Sequence, residues 1–229
     1  MLPSGTHMSD YSLNETASRA RLAAKGAGYP WGLADEVYRS VYWLARYNFP
    51  APAILANLLN EIDKLGKITE AMPVIANNHY KPNSEFICPV MFGCALTDRV
   101  SDLNESTSIS FRELRFPLLS LPFVAEVASA IERVGVLEFG AHRVHVDNRY
   151  LRLSPSDIAS IKNAVSGELH FVQPEDIDFQ STEQLTVKNR VNISTDVWGS
   201  LDEWAHRTYA PATEASRLSG AGAGVLDND

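Results

Sequence analysis

Apolar residues recur at helical spacing through the first third of this chain and in mixed patterns through the rest. Leu13, Ala17, Ala20 and Ala24 fall on one helical face while Arg19, Arg21 and Lys25 lie off it, which predicts a helix over 13–25. Ser12-Leu-Asn-Glu15 is a capping box at its start, Gly26 a C-cap at its end, and the small apolar residues predict close approach of a neighbouring helix. Beyond the turn-rich link Gly26-Ala-Gly-Tyr-Pro-Trp31-Gly, the residues Leu33, Val37, Val41 and Leu44 mark a second amphipathic helix ending near Tyr47. Pro50 and Pro52 separate off a third, with Leu55, Leu58, Leu59, Ile62 and Leu65 inward and Gly66 closing it. Short links make these three a bundle-like layer.

After a polar interval over 77–83 the pattern changes. The apolar run 86–96 is bounded by turn signals and interrupted by Pro89 and Gly93, which predicts a buried strand with a bulge. A short strand over 109–114 follows, and then a helix beyond Pro117 and Pro122 with Val124, Val127, Ala128, Ile131 and Val134 on its buried stripe. Strands over 136–139, 143–146 and 149–153 form a meander turning at Gly140-Ala141 and Asp147-Asn148. Ser154-Pro155 opens another helix, running to about Val165 and stopping at Gly167. Leu169 and Phe171, and then the alternating set Leu185, Val187, Val191 and Ile193, predict two more strands. Ser200-Leu-Asp-Glu203 is a second capping box, with Leu201, Trp204, Ala205 and Thr208 on one face of a last helix that Pro211 ends.

No regular strand–helix–strand rhythm emerges. The fold class expected is therefore α+β: a three-helix N-terminal layer packed on a mixed, mostly antiparallel sheet, with additional helices and an ordered Gly-rich C-terminal tail. Residues 1–7 read as a vector-derived leader, 8–75 as the helical part and 76–229 as the α+β part with its tail, the last two forming one compact unit.

Composition narrows the partners. At 229 residues and 45% apolar content the chain can bury a sizeable core, and its net charge of −8 without a basic block argues against nucleic acid. No apolar run approaches the length of a spanning helix and no secretory signal is present, so no membrane partner and a cytoplasmic location are expected. Cys88 and Cys94 are too few and wrongly spaced for a disulfide framework or a metal knuckle, and are read as reduced thiols, buried or half-buried.

The densest chemistry lies at the end of the chain. Arg207, Tyr209, Glu214, Ser216 and Arg217 precede Gly220-Ala-Gly-Ala-Gly224 and the finish Asp227-Asn-Asp229. Arginine forks bind carboxylate or phosphate, and glycine N–H groups such as that of Gly222 can approach a ligand closely, so Arg207, Tyr209, Ser216, Arg217 and Gly222 are the candidate substrate-binding residues. The competing reading is a structural clasp, in which the arginines pair internally with Asp202, Glu203, Glu214 or the terminal carboxylates. The glycines lack the strand-before, helix-after setting of a dinucleotide fingerprint, so no cofactor is expected, and the histidines show no ligand spacing, so no metal site is assigned. Glu36, Asp98 and Glu214 are the general acid or base candidates, because a carboxyl beside an arginine in a partly closed pocket can have its titration tuned.

Two stretches, Leu13-Asn-Glu through Lys25-Gly-Ala-Gly-Tyr-Pro-Trp-Gly-Leu-Ala-Asp-Glu36 and Arg207-Thr-Tyr-Ala-Pro through Ser-Arg217 to the Gly-Ala-Gly-Ala-Gly-Val-Leu-Asp-Asn-Asp229 end, resemble a proteobacterial family catalogued as a domain of unknown function. The segment from Cys88-Pro to Thr97-Asp-Arg99 is similar to it as well. The resemblance implies no activity, cofactor or catalytic residue. The residues themselves lead to the expectation of a cofactor-independent hydrolase, lyase or isomerase acting on a small anionic substrate. The alternatives are a non-catalytic subunit whose tail docks into a protein partner, with Trp198, Trp204, Tyr209 and Arg217 as anchors, and a homodimer whose tail completes the sister pocket.

Overall fold

The three expected N-terminal helices form where their apolar stripes place them, although Gly26 is the last helical residue of the first and Ala27, not Gly26, is its cap. In the computed structural model, which describes residues 7–103, 107–147, 151–153, 163, 165–177, 183–184 and 186–209, a short strand β1 (Met8–Ser12) leads into α1 (Leu13–Gly26). The Ser12 hydroxyl accepts from the Glu15 amide at 3.1 Å, the serine half of the capping box. Helix α2 (Trp31–Arg46) buries Ala34, Val37, Val41, Leu44 and Ala45, and α3 (Ala51–Leu65) ends at Gly66, whose φ of 75° is the left-handed cap conformation. The small face of α1 is used as expected: Ala17, Ala20, Ala23 and Ala24 are fully buried. At Gly26 a Cβ would stand 1.8 Å from the Trp204 carbonyl oxygen, so only glycine lets the last helix lie this close.

The eight-stranded sheet has the order β2 (Pro73–Ala76), β3 (His79–Pro82), β4 (Ser108–Leu114), β8 (Val165–Val172), β5 (Val134–Phe139), β6 (His142–Val146), β7 (Leu151–Leu153), β9 (Glu183–Gln184). Among the described strands β3 and β4 pair in parallel and the other neighbours antiparallel, so the expected α+β class with a mixed, mostly antiparallel sheet is what forms. β10 (Arg190–Ser194) pairs with β1 as a separate two-stranded sheet. The meander β5–β6 turns at Gly140, φ 57°, as expected. Between the layers lie α4 (Pro89–Thr97) and α5 (Leu121–Ala130), and α6 (Thr195–His206) packs back on α1 and α3. Buried side chains from α1 through α6 and from the inner sheet face, Ile109, Phe111, Leu137, Phe139, Leu169 and Phe171 among them, belong to one cluster.

Several elements differ from expectation, each for a physical reason. The run 86–96 is not a bulged strand. Pro89 opens α4 at its first helical positions, where it needs no N–H, and Val90, Met91, Phe92, Gly93 and Leu96 are buried, so no polar face marks the helical period. Gly93 is there for packing, since a Cβ would lie 2.2 Å from the Phe123 ring of α5. The polar interval is a hairpin, β2–β3, turned by Asn77 and Asn78 with φ of 49° and 64°. Val134 belongs to β5 rather than to the preceding helix, and Gly167 sits inside β8 where a Cβ would meet the Glu138 carbonyl oxygen at 2.0 Å. The last helix starts earlier than its expected cap: Ser194 caps it, accepting from the Val197 amide, and Ser200 lies mid-helix donating to the Asp196 carbonyl at 2.9 Å. Val187 is exposed and outside any strand, so the expected alternating strand contracts to Val191 and Ile193 of β10. Residues 154–162 of the helix expected from Ser154 and the tail beyond Tyr209 lie outside the described residues, while Val165, expected at that helix's end, opens β8 instead.

Candidate functional site

Helix α2 turns its apolar stripe inward, and its outward face is unusually aromatic. Tyr38, Tyr42 and Trp43 stand there half-buried beside Arg39 and Glu36, and α5 runs alongside with Pro122, Phe123 and Glu126. Together these eight residues line a groove of about 440 Å³. The Tyr38 and Tyr42 rings stack with centroids 6.2 Å apart, and Trp43 packs at 4.8 Å on Tyr47. Tyr38 also donates its hydroxyl to Asn14 Oδ1 at 3.0 Å, and its other flank borders a second hollow of about 360 Å³ lined with Ser18, Arg21, Leu22 and Asp35.

The charges in the groove converge on Arg39. Its Nη1 donates to both Glu36 oxygens at 3.2 and 3.1 Å, and its Nη2 to Glu126 Oε2 at 2.7 Å, tying α2 to α5. Burial lowers the guanidinium pKa, but the two carboxylates outweigh it and the net shift is upward. Arg39 is half-exposed, so the tie contributes orientation more than stability. The set of two carboxylates and one guanidinium carries a net negative charge.

Behind the groove sits Cys94 of α4, half-buried. Burial first, then the charges of Glu36, Cys88 and Asp98, push its thiol up to about 12, with Arg39 opposing. Glu36 and Asp98 are thus both close enough to act on one thiol, and that thiol stays protonated and unreactive at neutral pH. Asp98 itself is exposed at the C-cap of α4 and lines neither hollow. Cys88 is fully buried, with its sulfur 3.2 Å from the Tyr29 hydroxyl, and burial pushes both groups up. That pair accounts for much of the Gly-Tyr-Pro-Trp stretch. Gly28, at φ 97°, turns the chain, Tyr29 plugs the core against Cys88, and Trp31 stands exposed at the start of α2 with Arg21 and Lys25 over its ring at 5.0 and 5.3 Å.

The candidate binding residues at the chain end gather elsewhere. Arg207 donates from Nη1 to Asp63 Oδ1 at 2.9 Å and lies 3.9 Å over the Trp204 ring, an internal engagement with α3 and α6. Tyr209 is exposed and meets His206 edge-on. Neither lines the groove. Trp204 is buried, and Trp198 stacks at 3.8 Å on Tyr11 with Arg19 over it, so both tryptophans are committed within the chain. Glu214, Ser216, Arg217 and Gly222 lie outside the described residues.

Of the acid–base candidates among the described residues, Glu36 enters the groove and Asp98 does not. Sequence reasoning missed Arg39, Glu126, Tyr38, Tyr42, Trp43, Pro122 and Phe123. The signal for part of the set was present: Tyr38 and Tyr42 recur one turn apart on the face opposite the Val37, Val41 and Leu44 stripe, where polar residues are the rule. Glu126 joins from 87 positions away and had no local signature.

Comparison with known families gives a match over residues 11–83 to a family described as "Protein of unknown function (DUF3726)". That span holds the end of β1, then α1, α2, α3, β2 and β3, hence the α2 wall of the groove but not the α5 wall. It agrees with the resemblance seen in the sequence, and it brings no activity. No curated protein matches the sequence. Among solved structures the chain is similar to malate dehydrogenase from Entamoeba histolytica, at 12% identity and a TM-score of 0.40 over 70% of this chain and 49% of that one. The match spans about half of that enzyme, and a likeness this weak carries no activity across. No helix among the described residues is long and apolar enough to cross a membrane.

Proposed function

We propose that this protein binds a small organic molecule in the groove between α2 and α5. The observation that carries the reading is the groove itself: about 440 Å³ walled by Tyr38, Tyr42, Trp43, Pro122 and Phe123, with three charged groups converging in it. Apolar walls supply affinity and a few placed polar groups supply orientation, which is the usual composition of a small-molecule site. In the enzymatic form of this reading Glu36, held by Arg39, is the base that acts on the ligand. The docking of a tail into a partner gains no support from Trp198 and Trp204, which are packed internally.

A thermal-shift screen with amines, carboxylic acids and neutral metabolites tests the proposal on the wild type and on Tyr42→Ala. A ligand should raise the melting temperature of the wild type and do so much less in the variant. Equal shifts in both, or no shift with any compound at millimolar concentration, would overturn it.

A further inference from the structure

Resting on that groove reading, we infer that the group recognised there is an organic cation, an ammonium, amidinium or guanidinium carried on an apolar body. The groove already holds one such group of its own. Arg39 lies between Glu36 and Glu126, which shows that the two carboxylates are set at a separation that accepts a cationic fork. They are not saturated by it. Glu126 gives Arg39 only Oε2, while Oε1 has no protein hydrogen bond among the described residues, so acceptor capacity remains for a second donor.

Three further features favour a cation. Tyr38, Tyr42 and Trp43 line the same hollow, and aromatic rings attract cations. The local balance in the groove is two carboxylates to one guanidinium, in a chain of net charge −8, while in the adjoining hollow Asp35 is neutralised by its ion pair with Arg21. Among the described lining residues, the one cation an anion would meet is Arg39, already held by both carboxylates. Of the two arginines expected to bind an anion, Arg207 is engaged with Asp63 and Trp204 away from this groove, and Arg217 lies outside the described residues.

The inference makes a prediction of sign. Removing Arg39 should strengthen a cation site, by freeing both carboxylates, and should abolish an anion site. Amide NMR spectra of the wild type, Arg39→Ala and Glu126→Gln would be titrated with four probes of similar size: benzylamine, benzamidine, benzyl alcohol and benzoate. Retained dispersion of each variant spectrum reports that the fold is intact. Benzylamine and benzamidine should shift amides of residues 36–43 and 122–126 saturably. Affinity should rise about tenfold in Arg39→Ala and fall about tenfold in Glu126→Gln, the size expected for one charge-assisted contact. Benzoate should leave the groove unshifted. If benzoate or benzyl alcohol saturates the groove more tightly than the amines, or if Arg39→Ala weakens the amines, the cation inference falls while the groove stands as a site. If none of the four shifts a groove amide, both fall.

Discussion

The groove wall is set by a contact one layer down, and that contact can be overfilled deliberately. Gly93 of α4 lies against Phe123 of α5, and a Cβ there would stand 2.2 Å from two ring atoms and 2.8 Å from the Phe123 Cβ. Carbon atoms rest about 3.5–4.0 Å apart, so in Gly93→Ala the ring must retreat by about 1.5 Å. Phe123 is only 3% exposed, and the yielding direction is outward into the hollow it lines. Overpacking at a closed site costs roughly 1–3 kcal/mol, and this contact belongs at the upper end because the clash reaches the stem of the side chain. Alanine returns about 1 kcal/mol through helix propensity, leaving a net loss of about 2 kcal/mol. For a chain of this size that lowers the melting temperature by about 4–8 °C. Urea unfolding of the wild type, Gly93→Ala, Phe123→Leu and the double variant closes a thermodynamic cycle. The double variant should be more stable than the sum of the singles by about 1 kcal/mol or more, because leucine vacates the space the new methyl needs. Gly93→Ala at or above wild-type stability, or additivity within error, would refute the packing argument.

Other consequences are as direct. Gly26→Ala places a methyl on the Trp204 carbonyl and should cost about 3 kcal/mol or more by pushing α6 off α1, measured by the same unfolding assay. Arg207→Ala removes a half-exposed ion pair and a stacked ring, so it should cost under about 1 kcal/mol and leave groove binding unchanged; a large loss of ligand affinity would return Arg207 to the site. Alkylation of Cys94, whose thiol is pushed up to about 12, should still gain about tenfold per pH unit near pH 10, where an ordinary cysteine has levelled off near about 8.5. His145 is held neutral by burial and by Arg143, His170 and Arg152 against Glu138, so its folded pKa lies below the unfolded value. Its contribution is therefore full above about pH 6.5 and falls as pH drops through that value, levelling once the folded pKa is passed; His145→Phe should flatten that part of the stability profile.

What was legible in the chain follows from where its information is local. The helices α1, α2 and α3 each carry a one-sided stripe, and Ser12 and Gly66 mark ends that the backbone uses as caps. The period disappears when an element is buried on every side, which is why α4 read as a strand and why Pro89 read as an interruption instead of a first turn. The two Asn residues of the β2–β3 turn were in plain view, but strands of four residues with a proline in each lack the alternation that announces a strand. At the other end Ser194 and Ser200 both precede acidic residues, and only the pairing of β10 with β1 decides that the earlier serine is the cap. Glu36 was found as a carboxyl whose titration a nearby arginine could tune. Its partners were not, since Arg39 looked like any exposed cation on a helix and Glu126 and Phe123 arrive through the packing of α5.

The central claim is that a ligand occupies the hollow between α2 and α5, and the most direct test is to see where a bound ligand sits. Amide shifts mapped for the strongest compound from the thermal-shift screen should cluster at residues 36–43 of α2 and 122–126 of α5 and vanish in Tyr42→Ala. Shifts centred on Asp63, Trp204 and Arg207 instead, with residues 36–43 unmoved, would contradict the account.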